Sequence, residues 1–465
     1  IEDAVRLRVG GVGREEVERR VDSILEEVGM EAIAEKRVEV LSGGQRRRLA
    51  LGMELVSAPR LLLCDEVTSG LDPRAEDELT LLLRQVASRG RVVLNITHSL
   101  KHLALHDSVI VLSAGRLVYH ADPKHLLHYF GIGHQEELYP RLAERAPEDW
   151  AHSWQKHKSA YYGAGPAGGG KSEEWGEGEG GLPASAWKQG LVLWRRRWRL
   201  FFRDAGQVKL QIALLLGFPA LVVIFALKGL PSLRAAAEIS DNAVQQMLSD
   251  FATRLDYLRV GGLVSGLIMF QVVLLTLMGS NNGAREISGE RLILEKEKFS
   301  GLSPLAYVAS KVGFLGVLVA VQSIWMGLFV NSVIRMPGDL VWQNGFLFLV
   351  NAAMTAVTLG ISSLARTPEQ SSLISVYLVG FQLPLSGAVL ALPDWLGQLT
   401  RPFIASYWGW SGFLQTLQET RFYKAVTDMT QTPMMPPMTV LWVLGCHVIL
   451  GLTVAYLGSR GSRWE

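Results

Sequence analysis

Residues 41–73 read LSGGQRRRLALGMELVSAPRLLLCDEVTSGLDP, and this stretch decides the fold. Leu61–Cys64 is an apolar run with the length of a buried strand. Asp65 and Glu66 follow directly, at the carboxyl end of that strand, where open α/β sheets bind their ligands. An acidic pair there is suited to hold Mg²⁺ through one carboxylate and to polarise a water through the other.

A second phosphate-binding signal lies just upstream. Ser42, Gly43 and Gly44 precede the helix-like segment QRRRLALGMELV. Glycine allows close approach of the backbone, and a helix N-terminus offers free N–H groups and positive dipole charge to a phosphate. The alternative is a simple glycine turn and a surface acidic pair, which leaves their co-occurrence unexplained.

Together these motifs resemble the ATP-binding-cassette (ABC) ATPases. LSGGQ resembles the family's signature loop, LLLCDE its Walker B strand, and Ser69–Asp72 its D-loop. A further apolar run, Arg91–Ile96, predicts a strand followed by His98, which resembles the switch histidine of the family. The resemblance implies an α/β P-loop NTPase-type cassette, of which this chain carries only the C-terminal part.

The resemblance also implies a role for each residue, with ATP and Mg²⁺ as cofactors. Asp65 would hold Mg²⁺ through water, Glu66 would polarise the attacking water, and His98 would contact the γ-phosphate. The signature loop would bind the nucleotide held by a partner cassette, and the D-loop would signal across the dimer; the residues concerned are Ser42, Gly43, Gly44, Gln45 and Asp72.

The P-loop itself is missing from this pattern. Gly165–Ser172 matches G-x-x-x-x-G-K-[ST], but it lies in a glycine-rich segment without a flanking strand or helix, so we interpret the match as coincidence. The chain starts with Ile1 and no signal peptide is visible. We expect a fragment whose N-terminal part carries the P-loop, and which is inactive as an ATPase alone.

Composition divides the 465 residues into four parts. The net charge is only +2, which gives no reason to expect nucleic acid as a partner. The two cysteines are too few for a cysteine metal site. The predicted parts are the cassette portion 1–130, a flexible Gly-rich linker 131–186, a basic amphipathic connecting helix 187–204 suited to an anionic membrane surface, and an all-α transmembrane domain 205–465.

Six apolar runs of about 20 residues predict six membrane-spanning helices. They are Val208–Leu227, Gly261–Gly279, Val312–Ile334, Gln343–Leu364, Leu373–Leu392 and Thr439–Leu457. Arginines before the first run and after the last predict that both termini and the cassette are cytoplasmic, in a plasma or inner membrane. Polar groups within the runs are expected to bond between helices or to line a path; they are Gln271, Gln322, Asn351, Gln382 and His447.

The charged loop between the second and third runs resembles the elbow of G-subfamily and ABC-2-type exporters. Its markers are Glu290, Arg291 and Glu297. The resemblance implies that this elbow transmits closure of the cassette to the membrane domain. The alternative is a solvated helix with i,i+4 charge pairs.

The order of cassette and then membrane domain matches the G subfamily. We therefore predict an ATP-driven half-transporter, working as a homodimer or heterodimer in the lipid bilayer, with export of an unidentified, hydrophobic substrate. The alternative is a non-transporting membrane ATPase that acts as a regulator or assembly factor; vesicle transport assays would distinguish the two.

Overall fold

The computed structural model describes residues 1–162, 184–227, 251–388, 392–430 and 432–461, without the side chains of 251–256. The chain forms two compact units, Ile1–Ala184 and Ser185–Glu465. The P-loop-like match at Gly165–Ser172 lies outside the described residues.

The first unit alternates helices and short strands. Its helices are α1 (Glu2–Arg8), α2 (Arg14–Glu27), α3 (Gly43–Leu55), α4 (Pro73–Ser88), α5 (Leu126–Phe130), α6 (Leu138–Ala143) and α7 (Pro147–Tyr162). Its strands are β1 (Leu61–Asp65), β2 (Val92–Ile96), β3 (Val109–Ser113) and β4 (Arg116–Ala121).

The two strands predicted around the acidic pair and the histidine lie side by side. β1 and β2 are parallel, with Asp65 opposite Ile96, so both strands end at the same edge. One face of the pair packs on α4, where Leu62 and Cys64 are buried. On the opposite face five apolar side chains are exposed: Leu61, Leu63, Val92, Leu94 and Ile96.

The linker prediction for 131–186 is wrong for residues 131–162. This segment contains α6 and α7, and α7 packs on the antiparallel β3–β4 hairpin through Trp150 and Trp154, which are 3% and 0% exposed. Tyr119 of β4 lies 5.3 Å from the Trp154 ring. Large aromatic side chains bury enough apolar area to order a polar segment. The glycine-rich residues further along the chain led to the prediction of a linker that began too early. Residues 163–183 lie outside the described residues.

The second unit is helical throughout its described residues. Its helices are α8 (Ala186–Arg203), α9 (Ala205–Ala226), α10 (Phe251–Gly283), α11 (Arg291–Phe299), α12 (Pro304–Ile334), α13 (Leu340–Leu364), α14 (Pro368–Gly380), α15 (Asp394–Thr400), α16 (Ala405–Gln415), α17 (Arg421–Met429) and α18 (Pro437–Arg460). The predicted connecting helix 187–204 therefore corresponds to α8.

Five helical segments of the described chain are long and apolar enough to cross a membrane. They are Ala205–Ala226, Tyr257–Phe299, Pro304–Ile334, Leu340–Leu364 and Pro437–Arg460, and they coincide with five of the six predicted runs. The segment Tyr257–Phe299 extends beyond the predicted second run because the elbow helix continues it with only short irregular turns.

The predicted fifth span is not one continuous helix. α14 has 13 residues and ends at Gly380, short of the about 20 needed to cross a bilayer. A 3₁₀ turn, Pro384–Ser386, follows. Pro384 lacks the N–H that would bond to the Gly380 carbonyl and continue the helix, and Gly387 ends the 3₁₀ turn with a left-handed φ of +74°. The six-span count stays a prediction.

The centre of this unit is built around α16, whose residues 405–414 are all buried. Tyr407 and Trp410 are completely enclosed, and the Trp410 Nε1 donates to Ser265 Oγ at 3.2 Å. α16 packs against α10, α13 and α18, within the core of the bundle.

Candidate nucleotide site and elbow

The acidic pair and the histidine meet at the common edge of β1 and β2. His98 Nδ1 lies 3.4 Å from Glu66 Oε1, and the two side chains are 65% and 52% exposed. The Glu66 N–H donates to the Ile96 carbonyl at 2.9 Å, which ties the acidic residue to the neighbouring strand. Glu66 has a φ of +45°, a conformation that non-glycine residues rarely adopt outside special sites. The parallel pairing thus places a base and an imidazole side by side.

The loop that carries His98 has two further anchors that the sequence did not reveal. Tyr139 of α6 donates its hydroxyl to the His98 carbonyl at 3.1 Å. Asp77 of α4 contacts Lys101 at 2.6 Å and His102 at 2.8 Å. The hydrogen bond from Lys101, reinforced by His102, lowers the pKa of the Asp77 carboxyl. No motif signals these contacts, since the partners lie 24 to 41 residues apart in the chain.

The signature loop forms the N-terminus of α3. Ser42 Oγ accepts from the Gln45 N–H at 3.3 Å, and Gln45 Oε1 accepts from the Ser42 N–H at 3.0 Å, which is a capping box. A Cβ added at Gly44 would lie 3.0 Å from the Ala75 Cβ of α4. Glycine therefore suits the close approach of α3 to α4, independently of any phosphate.

Asp72 caps α4, the helix that follows the D-loop. Its Oδ1 accepts from the Ala75 N–H at 3.0 Å, and Pro73 takes the first helical position. The signature loop and the D-loop are neighbours, because a Cβ at Gly43 would contact Leu71 at 3.6 Å. The structure brings these two loops together, and it separately brings Glu66 to His98.

The residues present could hold Mg²⁺ only together with the phosphate oxygens of a bound nucleotide and with water. Among the described residues, no group of three or more His, Cys, Asp or Glu side chains is arranged to hold a metal. Mg²⁺ in phosphoryl-transfer sites usually takes one or two carboxylates and completes its shell with phosphate oxygens and water. Asp65, exposed at the end of β1, fits the single-carboxylate role.

The elbow, residues 284–303, is organised by a buried carboxylate that the sequence analysis did not single out. Glu286 is 8% exposed and accepts from Arg197 of α8 and Lys311 of α12, with the Lys311 Nζ at 3.0 Å. Lys311 also contacts Glu290 at 2.7 Å. An unpaired carboxylate is costly to bury, so the two cations compensate a charge that would otherwise destabilise the fold.

All three elbow residues predicted from the sequence bond within the second unit. Glu290 accepts from Lys311, and Arg291 donates to the Ser363 carbonyl near the end of α13. Glu297 accepts from Arg196 of α8, with one N–O distance of 2.5 Å and a second of 3.1 Å. The elbow is therefore fixed to α8, α12 and α13, and a role in transmitting closure stays a prediction.

Amide side chains link four membrane helices beneath the elbow. Gln322 of α12 accepts from Asn282 of α10 at 2.8 Å and from Asn351 of α13 at 3.1 Å. Gln322 in turn donates to Gln211 of α9 at 3.0 Å. Two of the five polar groups predicted at membrane depth, Gln322 and Asn351, thus bond between helices. Gln382 also bonds across, since its Oε1 accepts from the Ser406 N–H at 3.0 Å.

Two family profiles match this chain in sequence order. The profile described as ABC transporter matches residues 2–69, and the profile described as ABC-2 type transporter matches residues 188–410. The chain therefore carries part of an ABC transporter cassette and an ABC-2 type membrane domain. Its cassette precedes its ABC-2 membrane domain, as predicted from the motif order, and it is an integral membrane protein.

Two curated ABC transporters are similar to this chain over different lengths. The ABC transporter ATP-binding/permease protein Rv1747 of Mycobacterium tuberculosis is 30% identical over 466 residues, covering 96% of this chain and 49% of the relative. The broad substrate specificity ATP-binding cassette transporter ABCG2 of Mus musculus is 34% identical over 137 residues, covering 28% of this chain and 21% of the relative.

The solved structure of cbiO1 from Clostridium perfringens, part of the ABC transporter complex cbiONQ, also matches. It is 29% identical and covers 30% of this chain and 54% of that chain, with a TM-score of 0.25 that is too low to compare the folds. This ABC chain spans about half the length of Rv1747 and less of ABCG2.

Proposed function

We propose that this chain is part of a dimeric half-transporter that uses ATP hydrolysis to export a substrate. The observation that carries the proposal is the 3.4 Å approach of His98 to Glu66 at the carboxyl edge of two parallel strands. A base and a hydrogen-bonding imidazole at this edge are what ATP hydrolysis needs, since positioning and charge stabilisation dominate phosphoryl transfer.

The chain's own residues would act in defined ways. Glu66 would accept the proton of the attacking water, and His98 would hold that carboxylate in place while its other ring nitrogen contacts the γ-phosphate. Asp65 would bind Mg²⁺ through water, and the metal would neutralise charge on the phosphates. The signature loop at the capped N-terminus of α3 would contact the nucleotide that a partner cassette binds.

The P-loop would come from residues that this chain does not include. The exposed apolar face of β1 and β2 supports this, because five large aliphatic side chains on one sheet face are normally covered by another element. Export and dimerisation are supported by the order of the two domains, cassette before membrane domain, which resembles the order in the G subfamily.

The elbow would pass motion of the cassette to the membrane helices. Its ion pairs reach α8 and α12, and its hydrogen bonds reach α13, so a displacement of the elbow would move several helices at once. An elbow fixed to one helix alone would pass the motion of the cassette to that helix only.

The test is Glu66→Gln in the full-length protein. We expect ATP turnover to fall by 10²- to 10⁴-fold, the usual contribution of a general base, with ATP binding retained. Glu136→Gln, which removes an exposed carboxylate elsewhere in the first unit, should leave turnover unchanged. Retained turnover in Glu66→Gln would overturn the catalytic assignment, and turnover without substrate movement in vesicles would favour the regulator alternative.

A further inference from the structure

Helix α8 has two opposite faces with different chemistry. One face is buried against the elbow and α12, with Gln189 at 1% exposure and Leu193 at 3%. Gln189 bridges the elbow by donating to the Gly301 carbonyl at 3.0 Å and accepting from the Ser303 N–H at 2.9 Å. Because this face is occupied by protein, the cations on the other face need a separate explanation.

The outer face carries a line of cations. Lys188, Arg195 and Arg199 are exposed, and at about 100° per residue they fall within roughly 40° of one another around the helix. Arg203 lies next to this line, one turn beyond Arg199. Within the described part of the chain, Lys188, Arg195 and Arg203 form no ion pair. By contrast, Arg196 and Arg197 on the inner side are paired with elbow carboxylates.

Apolar side chains lie beside the cations. Trp187 and Phe202 are 80% and 69% exposed, and Leu191 and Leu200 are 41% and 48% exposed. Water solvates the cations of this helix face but not its large exposed apolar side chains. The face is suited to the headgroup region, where cations meet phosphates and apolar side chains reach the acyl boundary.

Chain continuity brings this face to the membrane surface. α8 ends at Arg203, and α9, a membrane-spanning candidate, begins at Ala205. The single residue between them, Asp204, caps α9 by accepting from the Gln207 N–H at 3.0 Å. With no linker, the C-terminal end of α8 cannot leave the surface of the bilayer.

We propose that the outer face of α8 is a binding site for anionic phospholipid headgroups. Lys188, Arg195 and Arg199 bind the phosphates, with Arg203 beside them, while Leu191 and Phe202 contact the acyl chains. Because the opposite face holds the elbow, a bound lipid fixes the position of the elbow relative to the leaflet. This regulatory consequence rests on the proposed transport function, but lipid binding itself does not.

The experiment measures lipid binding to the full chain in detergent micelles by native mass spectrometry. Dioleoylphosphatidylglycerol is the anionic probe and dioleoylphosphatidylcholine the neutral comparator. We expect the protein to prefer the anionic lipid, and the triple variant Lys188→Gln/Arg195→Gln/Arg203→Gln to lose that preference. At about fivefold per cation near the surface, three cations correspond to a loss on the order of 100-fold.

Two control variants separate the site from general effects. Lys36→Gln/Arg37→Gln/Lys156→Gln removes three exposed cations from the first unit and should keep the preference. Lys188→Arg/Arg195→Lys/Arg203→Lys retains the charge and should also keep it.

Three results would overturn the proposal. The first is equal binding of the two lipids by the unaltered protein, which would mean that the cations of this face do not select anionic headgroups. The second is an unchanged preference in the triple glutamine variant. The third is an equal loss in the first-unit control. Binding is measured without nucleotide, so absent ATP turnover in the full-length protein would refute the proposed function and leave the lipid site standing.

Discussion

The buried carboxylate of the elbow gives a quantitative test of how the second unit is held together. Glu286 has a side chain that is 7% exposed, and its partners Arg197 and Lys311 are 11% and 3% exposed. Glu286→Gln keeps the side-chain size and removes the charge. Removing one partner of a buried ion pair typically costs about 3–5 kcal/mol, because the remaining charge is left without compensation.

The lower end of that range applies here. Lys311 keeps Glu290 at 2.7 Å, so only Arg197 loses its carboxylate. We therefore expect a loss of about 3 kcal/mol, which for a unit of this size lowers Tm by roughly 6–12 °C. The assay is heating of the detergent-solubilised protein, with the folded fraction followed by size-exclusion chromatography.

The matched control is Glu419→Gln in the same unit. Glu419 is exposed and has no charged partner in the described part of the chain, so its loss should cost less than about 0.5 kcal/mol. In a double-mutant cycle, Glu286→Gln and Arg197→Met should be strongly non-additive. Additive effects, or equal Tm shifts for Glu286→Gln and Glu419→Gln, would refute the inference that this ion cluster stabilises the elbow.

Two further predictions concern helix packing and thiol chemistry. In α18, Gly451→Ala should destabilise the second unit by about 1–3 kcal/mol, because the added Cβ would lie 2.4 Å from the Ala356 carbonyl carbon. The control is Gly445→Ala on the same helix, whose Cβ would meet nothing within 4 Å and which should be neutral. Similar Tm values for the two variants would contradict the packing. Burial raises the pKa of the Cys64 thiol to about 11, so at pH 8 only about 0.1% is thiolate. In a Cys446→Ser background, iodoacetamide should therefore label Cys64 about 100-fold more slowly in the folded protein than in urea, and equal rates would show that the β1 core is open.

The strand edge that carries Asp65, Glu66 and His98 was the most predictable part because its signals are local. Leu61–Cys64 and Arg91–Ile96 were predicted as strands from their apolar runs, and both form. The rule that parallel strands end at one edge then placed Glu66 near His98. The sequence pattern did not give the left-handed backbone at Glu66 or the bond from Tyr139, because both depend on contacts made after the chain has folded.

The errors arose where composition was misleading. Glycine-rich residues near 165–181 suggested a linker that began at 131, although Trp150 and Trp154 already provide a buried anchor for α7. Apolar content likewise suggested one helix over Leu373–Leu392, although α14 ends at Gly380 and the chain continues into a turn that contains Pro384 and Gly387. In both cases a few residues with a specific geometric effect outweighed the average composition of the segment.

The sequence by itself determined the order of the domains, the motif residues from Leu41 to Pro73 and the five long apolar helices. These are properties of neighbouring residues, set by strand and helix periodicity and by bilayer thickness. Only the tertiary structure decided which charges of the connecting helix turn inward. Arg196 and Arg197 pair with Glu297 and Glu286, about 90 to 100 residues later in the chain, while Arg195 on the same helix stays exposed. Consecutive arginines are equivalent in sequence, but a 100° rotation per residue and the position of a buried carboxylate make them physically different.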